Sequence, residues 1–254
     1  MSGFLKLPER SAKPREVGIT HIIDRGLSVA EVDGLIEVIG GSVDIIKLGW
    51  GTALVTANLE RKLERYREHG IPTVLGGSLT ELAIAQGQLD QLVDWVKQLG
   101  IEHFEISDGT IALPHERKLE LIEQLAKDFA VLSEVGSKDD TGAITPPYLW
   151  VEQMRQELDA GAWKVIAEGR ESGTAGIFRP TGEVREGLIQ EIVHEIDLNS
   201  ILFDAPRKDQ QVWFIRHYGA DVNLSNVPVD EVLALETLRL GLRSDTMGVE
   251  RRVT

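Results

Sequence analysis

The sequence predicts an α/β protein in which eight strand–helix units form a single (β/α)8 TIM-type barrel. Short apolar or β-branched runs alternate with longer segments of helical periodicity along the whole chain. Dividing its 254 residues by eight gives about 32 residues, the size of one strand–helix unit. The total also matches the roughly 250 residues typical of such barrels. We therefore expect one domain over residues 1–254, with tails at about 1–16 and 247–254.

The predicted strands are eight short runs, each followed by an amphipathic segment. They lie at residues 17–23, 43–48, 72–75, 103–106, 130–134, 163–168, 201–203 and 221–224. Leu59, Leu63 and Tyr66 illustrate the helical spacing that places one apolar stripe against a sheet. Glycines such as Gly70 and Gly219 precede the next strand, where a left-handed cap allows a tight turn. The same alternation also fits a doubly wound open sheet, which local pattern does not distinguish from a barrel.

Composition and charge exclude several classes of protein. The chain has 27 Lys and Arg against 41 Asp and Glu, a net charge of −14 that repels nucleic acid and anionic membranes. It has no cysteine, which excludes disulfides, thiolate metal sites and cysteine nucleophiles. Neither a signal-type apolar stretch nor a run of about 18 uncharged apolar residues occurs. We expect a cytoplasmic protein without a nucleic-acid or membrane partner.

Polar side chains gather where the predicted strands end. The carboxyl ends of parallel strands are where α/β proteins place their chemistry. The set comprises Asp24, Lys47, residues 76–78, Glu105, Asp108, Glu134, Lys138, Glu168, Arg170, Asp204, Asn223, Ser225 and Asn226. The opposite strand ends show no comparable set. We expect these groups to converge on one mouth that holds a divalent metal and an anionic substrate.

Three glutamates, Glu105, Glu134 and Glu168, end three successive predicted strands. Like charges held close raise one another's pKa, and a Mg²⁺ ion among them would offset the repulsion. Ligands that are all oxygen suit Mg²⁺ better than Zn²⁺. The same carboxylates could instead form a structural ion-pair network, so both interpretations stay open.

Lys47 is in phase with Val43 and Ile45, so strand alternation points its side chain into the barrel if those residues point inward. A buried lysine is costly without a partner or a task. It could pair with a neighbouring carboxylate, bind a substrate anion or form a Schiff base, and spacing does not decide among these. Further along, Arg170 precedes small residues whose backbone amides could hold a phosphate.

Several motifs in order resemble those of the phosphosulfolactate synthase family. They are residues 47–52 (KLGWGT), 105–109 (EISDG), 134–136 (EVG), 168–173 (EGRESG), 210–211 (QQ) and 238–246 (LRLGLRSDT). The match runs from about residue 18 to residue 246. The resemblance implies a (β/α)8-type barrel that catalyses Mg²⁺-dependent addition of sulfite to phosphoenolpyruvate, giving (2R)-3-phosphosulfolactate. It also implies a homo-oligomer, with a trimer among the candidate forms, and a place in coenzyme M or sulfolactate formation.

The resemblance also assigns roles to individual residues. It implies that Lys138 is the general acid, with Lys47 as the second choice, and that Glu105, Glu134 and Glu168 hold the metal. The substrate-binding candidates are Arg170, Ser172, Gly173, Arg207, Lys208 and Asn226.

Two other functions are compatible with the same residues. Plant heat-stress-associated proteins resemble this family too, which raises the alternative of a non-catalytic relative. A barrel lyase or aldolase that uses Lys47 as a Schiff-base nucleophile is the second alternative. Retention of the charged residues at the strand ends favours the synthase over the non-catalytic relative.

Overall fold

The computed structural model describes residues 4–136 and 145–248. The strands in these ranges are β1 (Thr20–Asp24), β2 (Ile45–Leu48), β3 (Thr73–Leu75), β4 (His103–Ile106), β5 (Ala130–Val135), β6 (Lys164–Ala167), β7 (Ile201–Asp204) and β8 (Leu224–Pro228). The helices are α1 (Val29–Ile39), α2 (Leu59–Glu68), α3 (Gly77–Ala85), α4 (Leu89–Gln98), α5 (His115–Leu125), α6 (Pro147–Asp159), α7 (Glu186–Glu195), α8 (Lys208–Tyr218) and α9 (Val232–Arg239). The predicted alternation is confirmed.

The strands form one parallel sheet that closes on itself almost completely. Its order is β3-β2-β1-β8-β7-β6-β5-β4, so the first and last strands of the chain are neighbours. The edge strands β3 and β4 lie in contact at the seam. Pairing of β1 with β8 confirms the (β/α)8 barrel and rejects the doubly wound open sheet. A parallel barrel brings all eight carboxyl strand ends to one rim.

Apolar side chains pack in two layers, one inside the barrel and one between the sheet and the helices. The interior cluster consists of Ile19, Ile45, Val74, Leu132, Ile166 and Leu202. The larger outer cluster includes Ile46 of β2, and also Leu63 and Tyr66 of the predicted α2 stripe. Because Ile45 faces inward and Ile46 outward, the pleat of β2 sends Lys47 inward, as the sequence predicts. Val43 precedes β2 and packs in the outer cluster, so the expectation that it shares the inner face was wrong. Alternation thus delivers a lysine to the barrel interior.

The prediction for the eighth strand was wrong in its position. The strand begins at Leu224 and not at Asp221, so Asn223 precedes it and lies at the amino-terminal rim. There Asn223 Oδ1 accepts a hydrogen bond from the Ile19 amide at 3.0 Å, and its Nδ2 donates to the Ile201 carbonyl at 3.0 Å. Asn223 is therefore a structural residue at the end opposite the predicted mouth.

The amino-terminal rim carries more buried charge than the sequence indicated. Arg239 of α9 is 1% exposed and donates to the carbonyls of Val222 at 2.7 Å and Ile19 at 3.2 Å. Lys164 donates to the carbonyls of Asn199 at 2.7 Å and Glu16 at 3.1 Å. These cations donate to backbone carbonyls at the amino-terminal ends of the strands, which compensates the burial of their charge. Within the described ranges, no helix combines the length and apolar character needed to span a membrane.

Candidate active site

A cavity of about 490 Å³ opens at the carboxyl ends of the strands. Its polar lining includes seven of the residues predicted for the site, namely Lys47, Glu105, Glu134, Glu168, Arg170, Ser172 and Asn226. The volume lies within the range of about 300–1,000 Å³ that is usual for small-molecule sites. Charged side chains far apart in the chain therefore meet at one rim, as the sequence predicts.

Lys47 occupies the centre of this charged cluster. Its Nζ lies 3.1 Å from Glu105 Oε2 and 3.2 Å from Glu134 Oε1, and the residue is 4% exposed. Burial alone would lower the pKa of Lys47, but the carboxylates around it raise that pKa above its usual range. Lys47 is therefore held as an ammonium ion. The predicted pairing with neighbouring carboxylates is present, and the raised pKa disfavours the neutral amine that a Schiff base requires.

The Glu105 carboxylate is held by the Lys47 ammonium and by a backbone amide. Its Oε1 accepts a hydrogen bond from the Gly77 amide at 2.5 Å, at the first turn of α3. A Cβ on Gly77 would lie 2.5 Å from Ser107 Oγ, so glycine is required for this approach. Burial raises the pKa of Glu105 to about 7, although Lys47 opposes the shift. Glu105 is thus a carboxyl group with an ionisation balanced near neutral pH.

Asp204, at the end of β7, is hydrogen-bonded to β8 and to the loop after β6. Its Oδ1 accepts a hydrogen bond from Ser225 Oγ at 2.6 Å, and its Oδ2 accepts from the Gly169 amide at 2.9 Å and from Asn226 Nδ2 at 2.8 Å. Burial raises the pKa of Asp204, while Lys47 and these donors act to lower it. This carboxylate therefore fixes the ends of β6, β7 and β8 relative to one another.

Asn226 reaches the cavity because β8 is irregular. The β1–β8 register shifts between Thr20 and Ile22, and Asn226 has a φ of 53°. Such a bulge redirects a side chain, and asparagine tolerates left-handed backbone better than most residues. Asn226 Nδ2 binds Asp204, whereas the buried Oδ1 has no hydrogen-bond partner among the described residues. Asn226 thus presents an acceptor oxygen at the wall of the cavity.

Arg170 and Glu168 follow β6 in a strained turn. Arg170 has a φ of 56°, and its amide donates to Glu168 Oε1 at 2.6 Å. Ser172 lines the cavity, with its Oγ 2.7 Å from Thr174 Oγ1. Gly173 is not part of the lining, and its carbonyl accepts a hydrogen bond from Gln210 Nε2 at 2.8 Å. The loop after β6 thus supplies the Arg170 guanidinium, the Ser172 hydroxyl and the Glu168 and Glu171 carboxylates to the cavity.

Two of the predicted substrate-binding cations are directed elsewhere. Arg207 Nη1 donates to the Thr181 carbonyl at 3.4 Å, and Lys208 Nζ pairs with Asp245 Oδ2 at 2.9 Å. Neither lines the cavity. Both precede or begin α8, whose orientation turns their side chains away from the barrel axis. Asp24 of β1 is likewise structural, since it pairs with Lys62 and accepts from the Tyr66 hydroxyl at 2.9 Å.

Lys138, predicted as the general acid, lies outside the described residues. Sequence reasoning also left several cavity residues without a role. Trp50 donates from Nε1 to Glu171 Oε2 at 2.5 Å, which ties the loop after β2 to the loop after β6. Thr110 lines the cavity as well, whereas Ser78, which also lines it, belongs to the predicted set at residues 76–78. Trp50 and Glu171 both lie in motifs named in the sequence analysis, but the sequence did not indicate that they contact each other.

The carboxylates that the structure describes at the cavity are spread around Lys47 and do not form a compact metal-binding group. Among the described residues, no group of three or more His, Asp or Glu side chains is placed to hold a metal ion. The carboxylates Glu105, Glu134, Glu168 and Asp204 nevertheless all act on the Lys47 ammonium, which balances part of their charge. Mg²⁺ usually binds one or two carboxylates and keeps several waters. The glutamates that line the cavity could supply one or two such ligands, with the buried Asn226 Oδ1 as a further oxygen.

His21 of β1 is buried beside this cluster. The residue is 0% exposed, and neither ring nitrogen has a hydrogen-bond partner among the described residues. Burial lowers the pKa of His21 well below its usual value, and the positive charge of Lys47 adds to the effect. Glu134 opposes the shift, and His103 reinforces it. His21 is therefore neutral in the folded protein.

We expect His21 to make the folded protein less stable in acid. The unfolded state binds a proton on this imidazole below about pH 6.5, whereas the folded state does not. The free energy of unfolding therefore does not depend on His21 protonation above about pH 6.5. Below that pH it falls by up to about 1.4 kcal/mol per pH unit. Urea unfolding between pH 6.5 and pH 5 should show a shallower pH dependence for His21→Leu than for the wild type.

The matched control for this prediction is His194→Leu, because the His194 side chain is 80% exposed. That variant should keep the wild-type pH dependence of unfolding. Equal pH dependence in His21→Leu and the wild type would contradict a neutral buried imidazole.

Comparison with known proteins identifies the family. The family model for (2R)-phospho-3-sulfolactate synthase (ComA) matches residues 8–245. The chain belongs to this family. It is 41% identical over 244 residues to a phosphosulfolactate synthase from Bacillus subtilis, covering 95% of this chain and 97% of that protein. The family name places the sulfonate on C3, which corrects the product numbering given above.

Two more distant similarities concern the heat-stress-associated proteins and the fold. The chain is 24% identical over 265 residues to the Arabidopsis thaliana protein HEAT-STRESS-ASSOCIATED 32, covering 93% of this chain and 90% of that protein. A solved structure, the Amycolatopsis orientalis BexX/CysO complex, is similar with a TM-score of 0.58 at 14% identity, covering 98% of this chain and 100% of that chain. That likeness concerns the fold alone.

Proposed function

We propose that this member of the family adds sulfite to phosphoenolpyruvate in a Mg²⁺-dependent, C–S bond-forming lyase reaction. The observation that supports it most is the Lys47 ammonium, held between Glu105 and Glu134 in a cavity that Arg170 also lines. Two anionic substrates require fixed positive charge inside a protein whose net charge is −14. Lys47 and Arg170 place two fixed positive charges at the cavity, and the proposed Mg²⁺ would offset the carboxylates Glu105, Glu134 and Glu168 that line it as well.

The reaction forms a C–S bond at C3 and a C–H bond at C2. The sulfur lone pair of sulfite attacks the methylene carbon C3, and the C2–C3 π electrons move through C2 into the carboxylate. A proton then adds to C2, and the phosphate ester stays intact, giving (2R)-phospho-3-sulfolactate. The intermediate is an enediolate dianion, so it needs cations that are in place before the attack.

The residues of the chain divide this work. Arg170 is suited to bind phosphate through two parallel hydrogen bonds, with Ser172 beside it. Lys47 stays charged near the developing enediolate, where its ion pairs fix its position. Lys138 is proposed as the general acid at C2, because the raised pKa of Lys47 makes Lys47 a weak acid.

Magnesium is proposed as the cofactor, and the residues above indicate how it would be held. Glu105, Glu134 and Glu168 are the proposed ligands, and the buried Asn226 Oδ1 is a further oxygen beside them. When bound, Mg²⁺ would supply positive charge beside the substrate carboxylate. We further propose a cytoplasmic homo-oligomer, with a trimer among its candidate forms, that serves coenzyme M or sulfolactate formation.

The purified protein should convert phosphoenolpyruvate and sulfite to a new phosphate ester, followed by ³¹P NMR. Product should form with Mg²⁺, and neither with EDTA nor with sulfate in place of sulfite. Lys138→Ala should lower the rate by at least about 10²-fold, the usual contribution of a general acid. Lys127→Ala, at an exposed lysine, should not lower it. Absence of product with Mg²⁺ and with Mn²⁺ would favour the non-catalytic relative.

A further inference from the structure

Lys118 of α5 carries a buried charge that does not line the cavity. The residue is 1% exposed, and its Nζ contacts three acceptors. They are the main-chain carbonyl of Glu134 at 2.6 Å, Glu157 Oε1 at 2.9 Å and Asp108 Oδ1 at 3.1 Å. One ammonium group therefore joins the end of β5, the loop after β4 and helix α6.

The Glu134 carbonyl depends on this lysine because of where β4 ends. In β5 the carbonyls of Val131 and Val135 accept hydrogen bonds from the β6 side. Carbonyl direction alternates along a strand, so that of Glu134 faces the β4 side. The β4–β5 register ends at Ile106 opposite Ser133, one residue before Glu134. A buried carbonyl without a ladder partner needs another donor, and Lys118 provides it.

The three contacts fix the segments that carry both carboxylates of the Lys47 cluster. Asp108 follows Glu105 by three residues in the loop after β4. Glu134 itself receives the shortest contact from Lys118. A shift of either segment would change the separation of Glu105 and Glu134, and with it the position of Lys47 between them. The ion pair thus lies behind the site and determines its geometry.

Stability alone is a weak reason for this arrangement. Replacing both members of a buried ion pair by apolar residues is often neutral for stability, whereas removing one member is strongly destabilising. Burial would lower the pKa of Lys118, but Glu157 and Asp108 raise it, so the ammonium stays charged. His115 Nδ1 lies 3.8 Å from Glu157 Oε1 on the outer side of the pair.

We propose that Lys118 is a positioning residue, which holds the ends of β4 and β5 so that Glu105 and Glu134 flank Lys47. Its kinetic consequence rests on the proposed function, but its structural consequence does not.

The test uses the double variant Lys118→Met/Glu157→Leu, which removes both charges of the fully buried pair and leaves Asp108, whose side chain is 27% exposed. Its melting temperature should recover part of the loss seen in Lys118→Met, because the buried carboxylate is gone while the Glu134 carbonyl still lacks its donor. Its kcat should stay low by about 10²-fold, the cost of a misplacement near 1 Å, while KM for phosphoenolpyruvate changes less. A wild-type kcat in the double variant would overturn the proposal.

The matched control is Lys164→Met, which removes a buried lysine that also donates to backbone carbonyls, but at the opposite rim. It should lower the melting temperature and leave kcat unchanged. A crystal structure of the double variant decides the question independently of activity. We expect Glu134 Oε1 to move from its position 3.2 Å from Lys47 Nζ. Unmoved Glu134 and Asp108 would overturn the proposal, even if the wild type makes no product.

Discussion

Lys47→Met should lose about 3–5 kcal/mol of unfolding free energy, the usual cost of removing one partner from a buried ion pair. Glu105 and Glu134 would then be buried without the ammonium 3.1–3.2 Å away. The rate of sulfite addition should fall by about 10²–10³-fold, as when a preorganised electrostatic contact is deleted. Urea unfolding and the ³¹P assay measure the two effects separately.

Two further variants separate the charge effect from the loss of a side chain. Lys47→Met/Glu105→Gln should regain part of the stability, because one uncompensated carboxylate is gone, but it should not regain activity. Lys97→Met makes the same substitution in the exposed pair Lys97–Asp128, where the Nζ–Oδ2 distance is 2.7 Å. It should cost less than about 1 kcal/mol. Equal stability of Lys47→Met and the wild type would contradict the central ion pairs.

Arg170→Gly should lose activity and yet be more stable than Arg170→Ala. Arg170 has a φ of 56°, a left-handed conformation that costs most residues roughly 1–2 kcal/mol and costs glycine little. We expect Arg170→Gly to be about 1 kcal/mol more stable than Arg170→Ala, which keeps the strain. Both should lose about 10²–10³-fold in kcat/KM, because neither carries a guanidinium to bind phosphate.

The comparison of glycine with alanine isolates the backbone, because both variants lack the same functional group. Arg170→Lys keeps the positive charge but should not restore the full kcat/KM, because an ammonium group does not replace a planar bidentate donor. Urea unfolding gives the stability difference, and steady-state rates give kcat/KM for phosphoenolpyruvate. Unchanged kcat/KM in both small variants would remove Arg170 from substrate binding.

Local periodicity was sufficient to predict most of the architecture and the centre of the site. Alternation in β2 placed Ile45 and Lys47 on the same inner face, and this held because a pleated strand has a fixed period of two. Glu105 and Glu134 reached the cavity for the same reason, since each ends or nearly ends a parallel strand. These features depend on a few consecutive residues.

Features that depend on irregular backbone or distant partners could not be predicted. The bulge at Asn226 shifts the register of β8, and the residue pattern over 221–228 does not predict it. Arg207 and Lys208 follow β7 closely, but the orientation of α8 turns them away from the cavity. Lys118 occurs in a helix of ordinary charge pattern, and its burial follows from the end of β4 and the approach of α6.

One of the two interpretations of the glutamates is visible in the structure. Lys47 forms an ion-pair network with Glu105 and Glu134, which meets much of their need for positive charge. Binding of Mg²⁺ by the glutamates stays a proposal, with the buried Asn226 Oδ1 as a further oxygen beside them.

A crystal structure with Mg²⁺ and (2R)-phospho-3-sulfolactate bound is the most direct test of the site. We expect the product in the cavity at the carboxyl ends of the strands, with phosphate oxygens about 3 Å from the Arg170 guanidinium. Its carboxylate should face Lys47 and the ion. Product bound at another surface, or a cavity closed by side chains with product excluded, would contradict the account.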